Sequence, residues 1–242
     1  MFHLSWKPLK RNPIRQDWHA ELPAEKSRAF TYALAQTRPA YVIFSMALDE
    51  AILLCKSGKH EMARDQADVS AELCIRFANV LECLLDVVER HADNFGLLPN
   101  VSPLNPMFFV GDSARRAAAM NSILSTVLFR QRTCFLHKVR TLGEIASKTA
   151  AEYRQMTAEV SKGISNSDGW DLLKTMQYDL TTLLSETTVI LKSFIVSLPP
   201  EGVEPFCDRL AAALVALQKS SHCAPVGVPA VTDRLAPAFR RE

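Results

Sequence analysis

The sequence predicts an all-α protein, an elongated antiparallel bundle of four long helices, the first kinked at Pro39, plus a shorter C-terminal helix. Three observations point there. All 13 prolines of the 242-residue chain lie before residue 40, between 99 and 106, or after 198. A proline inside a helix costs about 3 kcal/mol, so the two long proline-free stretches are where long helices can run. Glycine is scarce, 8 residues where average usage would give roughly 17, which disfavours sheet turns and phosphate-cradling loops. Finally, between Glu61 and Asp93 the charged residues recur on one side of a helix, opposite Val69, Leu73, Phe77, Val80, Leu84 and Val88.

Taken in order, Ala24 to about Ser57 reads as the first helix, with Gly58 as its stop. His60 to about Asn94 reads as the second, ended by Gly96 and Pro99. Residues 95–111 form an apolar loop expected to pack across the end of the bundle. Asp112 or Ser113 caps a third helix reaching Lys162, on the order of 70 Å long. The fourth runs from Trp170 to Leu198, and a shorter one from about Val203 to Ser220. The chain thus divides into a basic N-terminal arm (1–22), one helical domain (23–220) and a Pro-rich tail (221–242) expected to be flexible. Lys7, Lys10, Arg11 and Arg15 make the arm basic, interleaved with Trp6 and Trp18.

A hydrophobic content of 48% excludes disorder, and a net charge of +2 excludes a dedicated polyanion binder. The six cysteines, Cys55, Cys74, Cys83, Cys134, Cys207 and Cys223, form no CxxC pair and read as reduced thiols. With no signal-like apolar run at the N-terminus, a cytoplasmic protein is expected. The most apolar window, 172–198, carries Lys174, Asp179, Glu186 and Lys192, which argues against a membrane span.

No GxGxxG, P-loop, HExxH or GxSxG motif occurs, and no glutamate has a histidine three positions later, as a ferritin-like carboxylate site requires. His60 and His91 would stand some 45 Å apart along one helix. No metal and no cofactor is therefore expected.

Arg130-Gln131-Arg132-Thr133-Cys134-Phe135-Leu136-His137 places arginines seven and five positions before a histidine. This resembles the Arg-x(4 to 6)-His signature of the HEPN family of helical-bundle proteins, over fewer than ten residues. The resemblance implies a ribonuclease in which His137 serves as general acid or base and Arg130 or Arg132 stabilises the charged phosphorane-like state.

From Ser113 to Thr141 there are six basic residues and no acidic one. On one continuous helix Arg115, Arg116, Arg130, Lys138 and Arg140 share an arc of about 160°, with Arg132 outside it. Such a face suits nucleic acid or an anionic membrane surface, or else complements the acidic second helix within the bundle. Further on, Leu142, Ala146, Thr149, Tyr153, Met156 and Val160 continue an uncharged 3–4 seam begun at Phe135 and Val139. Because a 49-residue third helix would overhang its neighbours, this seam is expected to make a homodimer. The functional reading is a non-catalytic interaction or scaffold protein acting through long helix faces on an unknown protein partner. The alternatives are the HEPN-like ribonuclease and an anionic-surface binder.

Overall fold

The computed structural model of the chain describes residues 22–128, 134–162 and 167–221. Of these, 89% are helical, with no strand. The helices are α1 (Ala24–Lys56), α2 (His60–Phe95), α3 (Asp112–Leu128), α4 (Cys134–Ser161), α5 (Ser167–Ser197) and α6 (Pro200–Ser221), with one 3-10 turn at Pro106–Phe108. The N-terminal arm and the tail fall outside the described residues, apart from Leu22, which packs on the core, and Ser221, which ends α6.

Four of these helices form a ring in which α1 packs on α2, α2 on α4, α4 on α5, and α5 back on α1. Side-chain pairs fix the directions. Tyr41–Thr181, Ser45–Gln177 and Asp49–Lys174 run antiparallel between α1 and α5. Glu89–Arg140, Glu82–Ser147, Ser70–Tyr153 and Asp68–Ser161 do the same between α2 and α4. Phe30, Phe44, Phe77, Phe135, Tyr153, Phe194 and Phe206 fill the interior, each fully buried. Burying a side chain of this size contributes roughly 1.5–3 kcal/mol.

The helix stops fall where glycine predicts them. Gly58 and Gly96 adopt φ of 75° and 62°, left-handed values that a side chain resists. The Leu97 N–H returns to Ala92 O at 2.9 Å, closing the last turn of α2. α1 passes through Pro39 as one continuous helix, without a break at Arg38. α6 begins earlier than expected, at Pro200, where the missing N–H costs nothing.

Two expectations are corrected. The third helix is not one rod of about 50 residues: α3 ends at Leu128 and α4, starting at Cys134, folds back beside it. Asn121 Nδ2 donates to Thr141 Oγ1 at 3.3 Å and the Cys134 thiol to Ser125 O at 3.2 Å, so the two helices run antiparallel. The loop after α2 does not cap the bundle end. It descends the side of α5 as far as Asp179, 18 residues or about 27 Å from the end of that helix. Val101, Leu104 and Phe109 anchor it in the core.

α5 is the one described helix long and apolar enough, by length and composition, to cross a membrane. Within the fold, its Leu173, Leu180, Leu183, Ile190, Leu191 and Phe194 are buried.

Candidate functional site

α3 is anchored before it begins. The Asp179 carboxylate on α5 accepts the N–H of Val110 and of Gly111, both at 2.7 Å. Burial raises the Asp179 pKa, while those two N–H groups and Arg115 pull it down. Arg115 donates to Phe109 O and Val110 O at 3.1 and 2.9 Å, tying the first turn of α3 to the loop it emerges from. Deeper in, buried Asn121 accepts the Leu104 N–H at 2.9 Å while donating to Thr141 on α4. Loop, α3 and α4 are thereby pinned as one unit.

The residues α3 turns inward are Ala114, Ala118, Asn121 and Ser125. Small side chains at this 4–3–4 spacing let its backbone approach α4 closely. Its large apolar residues point the other way: Met120, Ile123 and Val127 are 56%, 63% and 57% exposed, with Leu124 beside them. Met107, Phe108 and Val110, on the loop before α3, are exposed as well. An amphipathic helix normally does the reverse, because apolar area left in water forfeits about 25 cal/mol per Å².

Beside the stripe lies a groove of ≈ 710 Å³ between α3 and α4. Arg116, Ala117, Met120 and Leu124 form one wall, and His137, Thr141, Glu144, Lys148 and Glu152 form the other. Glu144 and Lys148 pair with each other along α4 at 2.6 Å. His137 Nε2 is buried and has no hydrogen-bond partner among the described residues. Burial, assisted by Arg140 and opposed by Glu144, lowers its pKa, so the ring stays neutral near pH 7.

The described basic residues, Arg115, Arg116, Lys138 and Arg140, do not share one face. That arc assumed a straight helix, and the reversal between α3 and α4 divides it. Arg115 and Arg116 stay near the start of α3, where Arg116 Nε donates to Asp112 O at 3.3 Å. Lys138 is buried, pairs with Glu186 on α5 at 2.7 Å and donates to Ser102 O at 2.9 Å. Arg140 reaches Glu89 on the acidic α2 at 2.6 Å. Lys138 and Arg140 thus complement acidic residues of neighbouring helices, Lys138 buried and Arg140 at the surface. Arg130 and Arg132 lie outside the described residues, so only His137 of the HEPN-like set is placed.

The seam expected to make a dimer lies inside one chain. Leu142, Ala146, Thr149, Tyr153 and Val160 are buried, and Met156 is half-buried against the core. Tyr153 donates to or accepts from Ser70 Oγ at 2.8 Å and meets the Phe44 ring edge-on. The overhang that would have exposed these residues is absent, since α4 is 28 residues long and matched by α2 and α5.

His91, in the last turns of α2, is fully buried. Its Nε2 lies 3.0 Å from Gly202 O and its Nδ1 3.3 Å from Arg209, which fastens α6 to α2. Among the described residues no three His, Cys, Asp or Glu side chains gather as a metal ion would need. The surface missed at the sequence level is the outer face of α3. Its signal was present as Met120, Ile123, Leu124 and Val127 at i, i+3, i+4 and i+7. No family model, curated protein or solved structure matches the chain, and the surface itself is the ground for a functional reading.

Proposed function

We propose that this chain is a non-catalytic protein-interaction module whose working surface is the outer face of α3 with the groove beside it. The observation that carries this is the reversed burial of α3, with alanine, asparagine and serine inward and methionine, isoleucine and valine outward. The stripe repeats at the spacing by which one helix receives another. The clamps from Asp179 and Asn121 make it a preorganised platform, which lowers the ordering cost of binding. Against the ribonuclease alternative weighs the burial of His137 Nε2, which hydrogen-bonds to none of the described residues.

The test is selection of binders from a displayed library of helical peptides against the purified protein. Binders should converge on α3 and be lost in the Ile123→Glu, Val127→Glu double variant. They should survive Leu53→Glu, a control at another exposed leucine. Binders indifferent to the α3 substitutions, or a reproducible RNA cleavage abolished by His137→Ala, would remove this reading.

A further inference from the structure

Both nitrogens of the buried His91 ring are committed, and to partners of opposite kind. Nε2 lies 3.0 Å from Gly202 O, and Nδ1 lies 3.3 Å from a guanidinium nitrogen of Arg209. A carbonyl oxygen can only accept and a guanidinium can only donate. Nε2 must therefore carry the proton while Nδ1 keeps its lone pair, so the neutral imidazole is the form that satisfies both. A second proton, on Nδ1, would turn the Arg209 contact into two positively charged donors face to face.

The surroundings do not offset that charge. Rings enclose the imidazole: Phe95 on α2 itself, Phe194 on α5 and Phe206 on α6, with centroids 4.7, 6.0 and 5.7 Å away. Among the described residues no carboxylate forms an ion pair with it. On α2, Glu89 is held by Arg140, and Arg90 and Asp93 are exposed. On α6, Glu201, Glu204 and Asp208 are exposed as well. α5 brings the half-buried cation Lys192. On α1, Lys26 donates to Val196 O, and Glu25 and Arg28 are exposed.

The place of α6 in the fold gives this arrangement a consequence. α6 packs on α2 and α1, with Val203, Phe206, Leu210 and Leu214 buried, and stands outside the ring of four helices. It is the last described helix, so it can leave without parting any pair in that ring. We propose that α6 is an acid-released element: a second proton on His91 undocks it from α2, turns Phe206 to solvent and uncovers one side of Phe194, while α1, α2, α4 and α5 stay assembled. The device is independent of the α3 surface. Its size follows from linkage. An undocked ring titrates near the ordinary value of about 6.5, whereas the docked ring keeps a single proton, so docking weakens about thirtyfold between pH 7.5 and pH 5.

Amide hydrogen exchange of the full chain at these two pH values, corrected for the intrinsic rate at each, reads the opening of α6. Amides of Phe206 to Leu214 should lose protection about thirtyfold on acidification. At the lower pH they should also open more often than those of Phe77 to Leu85 in α2. Equal opening of the two segments would mean that the fold opens as a whole, and would overturn the proposal, as would an α6 that keeps its protection. His91→Gln offers Gly202 O a donor that does not titrate, so α6 should stay docked and its acid response should vanish. Should glutamine fail to dock α6 at pH 7.5, Arg209→Leu decides. It removes the cation facing Nδ1, from a residue exposed at the surface, and should narrow the acid response several-fold. A response undiminished in the deciding variant would place the trigger on another group and overturn the proposal.

Discussion

The Oδ2 of Asp179 lies 2.7 Å from the backbone nitrogen of Gly111 and would lie 2.5 Å from a Cβ built on that residue. The approach needs a glycine because a carboxylate so close to the backbone leaves no room for a methyl group. Gly111→Ala should therefore cost about 1–3 kcal/mol, as overpacking does in a tight site. The readout is the urea midpoint with the slope unchanged. A variant as stable as the parent would show that the loop can yield without loosening α3.

Stability should fall as the solution is acidified below neutral, with His91 a principal cause. Burial, and then Arg209, lower its pKa, and the contact with Gly202 O only partly offsets them. A histidine whose folded pKa is depressed below the unfolded value of about 6.5 takes up protons more readily when unfolded. Its contribution is complete above that value and lost as pH falls through the folded pKa. Replacing it by phenylalanine should leave Gly202 O unpaired at a cost of about 1–3 kcal/mol and flatten the pH dependence between pH 7 and 5. An unaltered slope would shift the effect to His137, which is lowered in the same direction.

Tyr153→Glu combined with Met156→Glu should unfold or aggregate the protein and not release a folded monomer. Tyr153 is fully buried, and a carboxylate in its place would have no cation to pair with in that part of the core. Circular dichroism and light scattering together distinguish the outcomes. A folded, half-mass product would restore the dimer seam.

The two faces of α3 should respond oppositely to substitution. Ile123→Glu is expected to change stability by less than about 0.5 kcal/mol, since the residue is 63% exposed. Ala118→Leu, at a fully buried position, should cost about 1–3 kcal/mol by forcing α3 off α4. If Ile123→Glu proves as damaging as Ala118→Leu, the outer face is already covered.

Much of the fold was legible in the sequence because proline and glycine act locally. Gly58 and Gly96 mark helix ends by backbone geometry alone, whatever the tertiary contacts. The reversal between α3 and α4 was not legible, for two reasons. No glycine or proline occurs from Asp112 to Leu142. In addition, the 3–4 spacing of inward positions runs in phase through the turn, from Ala114, Ala118, Asn121 and Ser125 to Phe135, Val139 and Leu142. Periodicity reports which side of a helix is inward, and it is blind to whether the chain has reversed. The exposed stripe of α3 was missed for a related reason, because an apolar stripe is assigned inward by default. Only the packing of Ala114 and Ala118 on α4 reveals that the inward side was already taken.

The ring of four helices is two hairpins, and joining them takes more loop entropy than closing the first. Within the first, Glu50 finds Gln66 across 16 residues, whereas joining α1 to α5 through Tyr41 and Thr181 spans 140. Loop-closure entropy grows with the logarithm of that separation, which makes the α1–α5 join about 2 kcal/mol harder to close. That boundary also relies on exposed polar pairs, Tyr41–Thr181 and Asp49–Lys174. It is the line along which the molecule opens first, and amides of α1 facing α5 should exchange with solvent sooner than those of Phe77 to Leu85 in α2.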